Sequence, residues 1–115
     1  MVSGATSQRR RWHFAAVVVG QLVVLYAPRA PSTGGVPGLD KVVHVLVFGA
    51  VVVIGLRAAA PRWLVALLSV VHAPVSELLQ ETLLANRSGD LGDLAADLVG
   101  CVLGWWVARR ARMNA

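Results

Sequence analysis

The sequence predicts an all-α protein: a four-helix transmembrane bundle with both termini on the cytoplasmic side. Three observations carry that prediction. The chain contains four apolar stretches separated by short polar or Pro/Gly-rich connections. It is 57% hydrophobic and only 15% charged, with a mean hydropathy of +0.65, well outside soluble composition. Its charges are also segregated, with most arginines at one set of stretch ends and all six carboxylates towards the other. At 115 residues the chain has room for a single domain, 1–115.

The first stretch runs from Trp12 to Ala27, behind Arg9-Arg10-Arg11 and before Pro28. It is slightly short for a hydrocarbon core of about 30 Å, a gap that snorkelling arginines absorb. A cleavable signal peptide has a similar basic head and apolar core. Here the position two before Ala27 or Ala30 would hold Leu25 or Pro28, a poor cleavage pattern, so a retained helix is expected. Residues 28–39 (PRAPSTGGVPGL) cannot continue a helix. The second span is expected over about 42–60, with Asp40 as its N-cap, and the third over about 63–85 after a tight turn at Ala60-Pro61-Arg62. Pro74 should kink the third span and free backbone carbonyls that need partners. The polar turn 86–90 leads to a fourth span over about 91–108, ahead of Arg109, Arg110 and Arg112.

Basic residues set the orientation. Arg9, Arg10, Arg11, Arg57, Arg62, Arg109, Arg110 and Arg112 fall on one side; Arg29, Lys41 and Arg87 fall on the other. Short loops rich in arginine stay in the cytoplasm, so both termini are expected inside. Trp12, Trp63, Trp105 and Trp106 flank the same basic side, as an interfacial belt does. This topology accounts for the net charge of +5 better than nucleic-acid binding, because no basic face interleaved with aromatics is present. Cys101, the single cysteine, excludes an internal disulfide and a CxxC pair.

At the outer end the polar residues form a pattern. Asp40 and His44 are four apart, hence on one helix face, with Lys41 beside them. Ser69, His72, Ser76 and Gln80 make a stripe along the third span, with Glu77 and Glu81 next to it. Ser69 and His72 read as interhelical hydrogen-bond formers near the midplane. Glu77 lies deep enough that it must face the bundle. Asp90, Asp93 and Asp97 share a face of the fourth span, and Gly100 and Gly104 continue it as a G-x-x-x-G pair that admits close helix approach. Arg87 and Ser88 lie in the turn among these acids, and the guanidinium suits a carboxylate or a phosphate.

Asp40-Lys41-x-x-His44, Glu77-x-x-Gln80, Arg87-Ser88-x-Asp90-x-x-Asp93 and Gly100/Gly104, in this order, resemble the VanZ-like family of small bacterial membrane proteins. The family takes its name from a member associated with teicoplanin resistance. The resemblance covers about residues 40–104. One position departs: the family pattern usually has asparagine where this chain has Asp97. The resemblance implies an integral protein of the bacterial cytoplasmic membrane with a site at its outer face, and it brings no agreed reaction, substrate or cofactor.

Three functions fit the polar set. The leading expectation is recognition of a polar or anionic envelope-linked group, such as an envelope lipid or peptidoglycan precursor. Arg87, Lys41 and His44 would bind it, and Glu77, Gln80, Asp90 and Asp93 would orient those donors. The second is a metal-assisted or acid–base membrane enzyme using a divalent cation, although no nucleophile motif, HExxH or phosphate loop is present. The third is an oligomeric proton or ion pathway through Glu77, Asp97 and His44. No organic cofactor is expected. Beyond these stands the plain alternative that the polar residues hold the helices together.

Overall fold

The computed structural model describes residues 4–27, 36, 38–84 and 91–113. Among them are four helices and no strand: α1 (Gly4–Tyr26), α2 (Leu39–Arg57), α3 (Arg62–Leu83) and α4 (Leu91–Met113). By length and composition, α2, α3 and α4 can cross a membrane. The 23-residue α1 is long enough at about 1.5 Å per residue, but its first turns carry Arg9, Arg10 and Arg11, and it does not reach the same apolar composition.

The helices alternate in direction. Arg10 near the start of α1 donates from Nη1 to the Arg57 carbonyl at the end of α2 (3.4 Å), so α1 and α2 are antiparallel. Across α1 and α3, Gln21 meets Leu68 and Tyr26 meets His72; both pairs rise together along the chain, so these helices are parallel. Lys41–Asp93 and His44–Asp97 show the same for α2 and α4. Helix α2 is the centre of the bundle, packed against each of the others, and its seam with α4 is the most extensive.

That seam is built on missing side chains. A Cβ on Gly100 would run into the Val45 carbonyl oxygen, and one on Gly104 would stand 2.7 Å from the Gly49 carbonyl oxygen. Below the glycines, Phe48, Val52 and Cys101 join Leu25, Val65 and Ala73 in the buried apolar core. Outside, large apolar side chains such as Leu46, Leu78, Val102 and Leu103 are exposed on all of the spanning helices. Water would penalise that surface and hydrocarbon would not.

Two local details differ from the sequence expectation. Asp40 is not the N-cap of α2. The chain enters through Gly38 in the left-handed region (φ 77°), the helix begins at Leu39, and no side chain caps it. A glycine tolerates this conformation, so the helix starts earlier, and Asp40 sits within the first turn where its charge favours the helix dipole. In α3 the response to Pro74 is a π-turn over Leu67–Val71, directly ahead of it. Proline supplies no amide to the Val70 carbonyl and its ring crowds that group, and a widened turn relieves both problems.

The α2–α3 connection has a specific cause as well. The Ala60 amide bonds the Gly55 carbonyl (3.1 Å) and the Ala59 amide bonds that of Leu56 (3.2 Å), closing the end of α2. This helix-ending motif needs a left-handed residue, here Ala59 (φ 58°), and Pro61 then blocks helix continuation.

Candidate functional site

The polar residues of α2 and α4 stack in two layers at the end of the bundle where both helices begin. In the outer layer the Lys41 ammonium lies between Asp93 Oδ1 on α4 (2.6 Å) and Asp40 Oδ2 on its own helix (2.9 Å). One turn deeper, His44 Nδ1 meets Asp97 Oδ1 at 2.6 Å, while Nε2 of the same ring lies 3.8 Å from Asp93 Oδ2. With Asp97 ionised, the ring donates this bond. The next contacts inward are those of Gly100 and Gly104. The chain therefore passes, over about three turns, from a wet ion pair through a buried one to bare backbone.

Helix α3 supplies the third wall. Glu77 is buried (8% exposed) and brings a carboxylate oxygen into a group with His44 and Asp97, their donor atoms all within 4.8 Å of one another. Asp97 is fully buried, and its Oδ2 takes no hydrogen bond from the described residues. Two buried carboxylates and one imidazole form a set that can accept a proton, a cation or a cationic group.

Of the residues predicted from sequence, Asp40, Lys41, His44, Glu77, Asp93 and Asp97 converge here. Gln80 goes elsewhere: its Nε2 donates to the Leu25 carbonyl (2.8 Å), one of the last in α1 without an intrahelical donor. Ser76 bonds the Ala73 carbonyl of its own helix. Ser69 likewise bonds Val65 within α3, whereas His72 reaches across to the Tyr26 hydroxyl (2.7 Å). Arg87, Ser88 and Asp90 lie outside the described residues.

Sequence reasoning passed over Gln21 and Tyr26. Gln21 is buried (1% exposed) and its Nε2 donates to the Leu68 carbonyl in the π-turn (3.2 Å). The available signal was a lone amide inside an apolar stretch, which hydrocarbon does not leave without a partner.

The opposite end of the bundle is basic. Arg9, Arg10, His13 and Arg57 line an open cavity with Ala108 and Ala111, and the Arg110 guanidinium lies 5.1 Å over the Trp106 ring.

Apolar helices with lipid-compatible exteriors, a glycine-packed seam and a polar cluster at one end define a polytopic membrane protein. A sequence profile of the VanZ/LLP1 family matches residues 4–112, nearly the whole chain, and the protein belongs to that family. No curated protein and no solved structure was found to match it.

Proposed function

We propose that this VanZ-like protein sits in the bacterial cytoplasmic membrane with both termini inside, and that its polar cluster recognises an anionic group of an envelope-linked molecule at the outer surface. The observation that carries the reading is the half-buried Lys41 ammonium at the open end of the bundle, held by Asp93 of α4 above the buried His44, Glu77 and Asp97. Buried ionic groups are a poor way to hold helices together, since apolar packing does it at least as well. The basic cavity at the far end supports the orientation.

Lys41 is the recognition group. Its side chain is 35% exposed, and its bond to Asp40, itself 51% exposed, is the weakly held one. An incoming phosphate or carboxylate oxygen displaces Asp40 from the ammonium while Asp93 keeps the ammonium in place. The cluster beneath acts through Asp93, whose Oδ2 lies 3.8 Å from His44 Nε2, and so sets where the ammonium stands. In a cell this alters exposure of an envelope lipid or peptidoglycan precursor, and with it susceptibility to a glycopeptide such as teicoplanin.

The test compares a deletion strain with strains expressing wild type, Lys41→Gln or Glu77→Gln at matched membrane levels. Deletion and Lys41→Gln should shift teicoplanin susceptibility alike. Unchanged susceptibility and unchanged envelope-stress sensitivity on both deletion and overexpression would end this reading.

A further inference from the structure

We propose that His44, Glu77 and Asp97 form a binding site for one divalent transition-metal cation, of which zinc fits best, enclosed between α2, α3 and α4. The three side chains come from three helices, and each offers a donor atom within 4.8 Å of the other two. Donors around zinc lie about 2.0–2.2 Å from the ion, hence about 3–3.5 Å from each other. Rotation about the three side-chain torsions of Glu77 can close a gap of that size.

Asp97 provides the second argument, independent of the first. Its Oδ1 engages His44, but its Oδ2 is buried and accepts no hydrogen bond from the described residues, a costly state for a carboxylate oxygen that a metal would relieve. One imidazole and two carboxylates are borderline-hard donors that suit zinc more than magnesium, which prefers to keep an octahedral shell with several waters. Cys101 offers no competing thiolate pair, being the chain's single cysteine.

The site does not rest on the recognition reading above. Metal binding is measured on purified protein without a cell phenotype, and either proposal can fail while the other stands. The natural rival is a proton shared within the cluster, and it gives the opposite result in the same experiment.

The full chain is purified in detergent with its affinity tag removed, stripped with chelator, and titrated with zinc while bound metal and melting temperature are followed. Wild type and a His13→Ala control should each take up one equivalent and gain several degrees, and excess magnesium should not reproduce the gain. Asp97→Asn and Glu77→Gln should each lose at least tenfold in affinity. Should those variants fail to fold, cobalt bound to wild type must show the spectrum of nitrogen and oxygen donors without thiolate absorption. Wild type that retains no zinc above an empty micelle overturns the proposal. So does uptake that disappears in His13→Ala, or that persists unchanged in folded Asp97→Asn and Glu77→Gln.

Discussion

Along α1 and α3, long polar side chains do the joining: Gln21 reaches the Leu68 carbonyl, Gln80 reaches the Leu25 carbonyl and Tyr26 meets His72. Along α2 and α4 the join is made where side chains are absent, at Gly49, Gly100 and Gly104, and polar groups gather only at the open end. Both seams link parallel helices, but their polar groups play different parts. In the α1–α3 seam, Gln21 and Gln80 bond backbone carbonyls, Tyr26 bonds His72, and no carboxylate takes part in these bonds. In the α2–α4 seam the bonds join carboxylates to Lys41 and His44. A buried oxygen is left over among the described residues in each, Gln21 Oε1 in the first and Asp97 Oδ2 in the second. Polar side chains buried among helices therefore serve as glue in one place and as a site in another, and the presence of carboxylates separates the two.

The largest effect should come from Gly100→Leu. With the Val45 carbonyl against the Cβ position, α2 and α4 cannot close, and overpacking of this severity costs about 3 kcal/mol or more. Size-exclusion chromatography in detergent should show loss of the monodisperse species. Gly20→Ala, with open space around its Cβ, should behave as wild type or slightly better. A normal Gly100→Leu profile would mean that the glycine seam does not hold the bundle.

Next come the amides of the other seam. Gln80→Leu removes the donor to Leu25 and should lower stability by about 1–2 kcal/mol, read from thermal unfolding in detergent, with no selective loss in the teicoplanin assay. Glu77→Gln should do the reverse, with a stability change below about 1 kcal/mol and a lost cellular effect. If the two variants behave alike, the division between glue and site is wrong.

The smallest change sharpens the picture at the turn that joins the two seams. Ala59 holds a left-handed conformation that glycine adopts without strain, so Ala59→Gly should raise stability by about 0.5–1 kcal/mol in the same measurement. No gain would show that the turn is not strained.

Much of this arrangement was legible in the chain. Helical class, approximate helix limits and the shared face of Asp93, Asp97, Gly100 and Gly104 follow from a 3.6-residue period applied to one segment at a time. The period gives a face but not the neighbour it meets. For that reason Gln80, placed by spacing beside Glu77, turns out to serve α1, while Gln21 and Tyr26 went unnoticed. The four-span topology gives α2 and α4 the same sense, but segment-wise reading does not show that they lie side by side, which brings Lys41 to Asp93 and His44 to Asp97. The entry through Gly38 and the π-turn escaped for another reason. Glycine permits a left-handed entry and Pro74 requires some local relief, but neither residue type dictates which backbone form is taken.

The π-turn at Leu67–Val71 has a geometric effect on everything beyond it. A widened turn holds one residue more than an α-turn, and each residue of an α-helix advances the azimuth by about 100°. The half of α3 that carries Trp63 and the half that carries Glu77 are thus phased differently from a continuous helix. Winding the same residues as a regular α-helix would swing the Glu77 carboxylate about a quarter of a revolution, away from His44 and Asp97, whereas deleting one residue from the turn would restore regular winding and leave the acid facing them. An α3 of this sequence without its widened turn would still span the membrane, yet its acid would aim the wrong way.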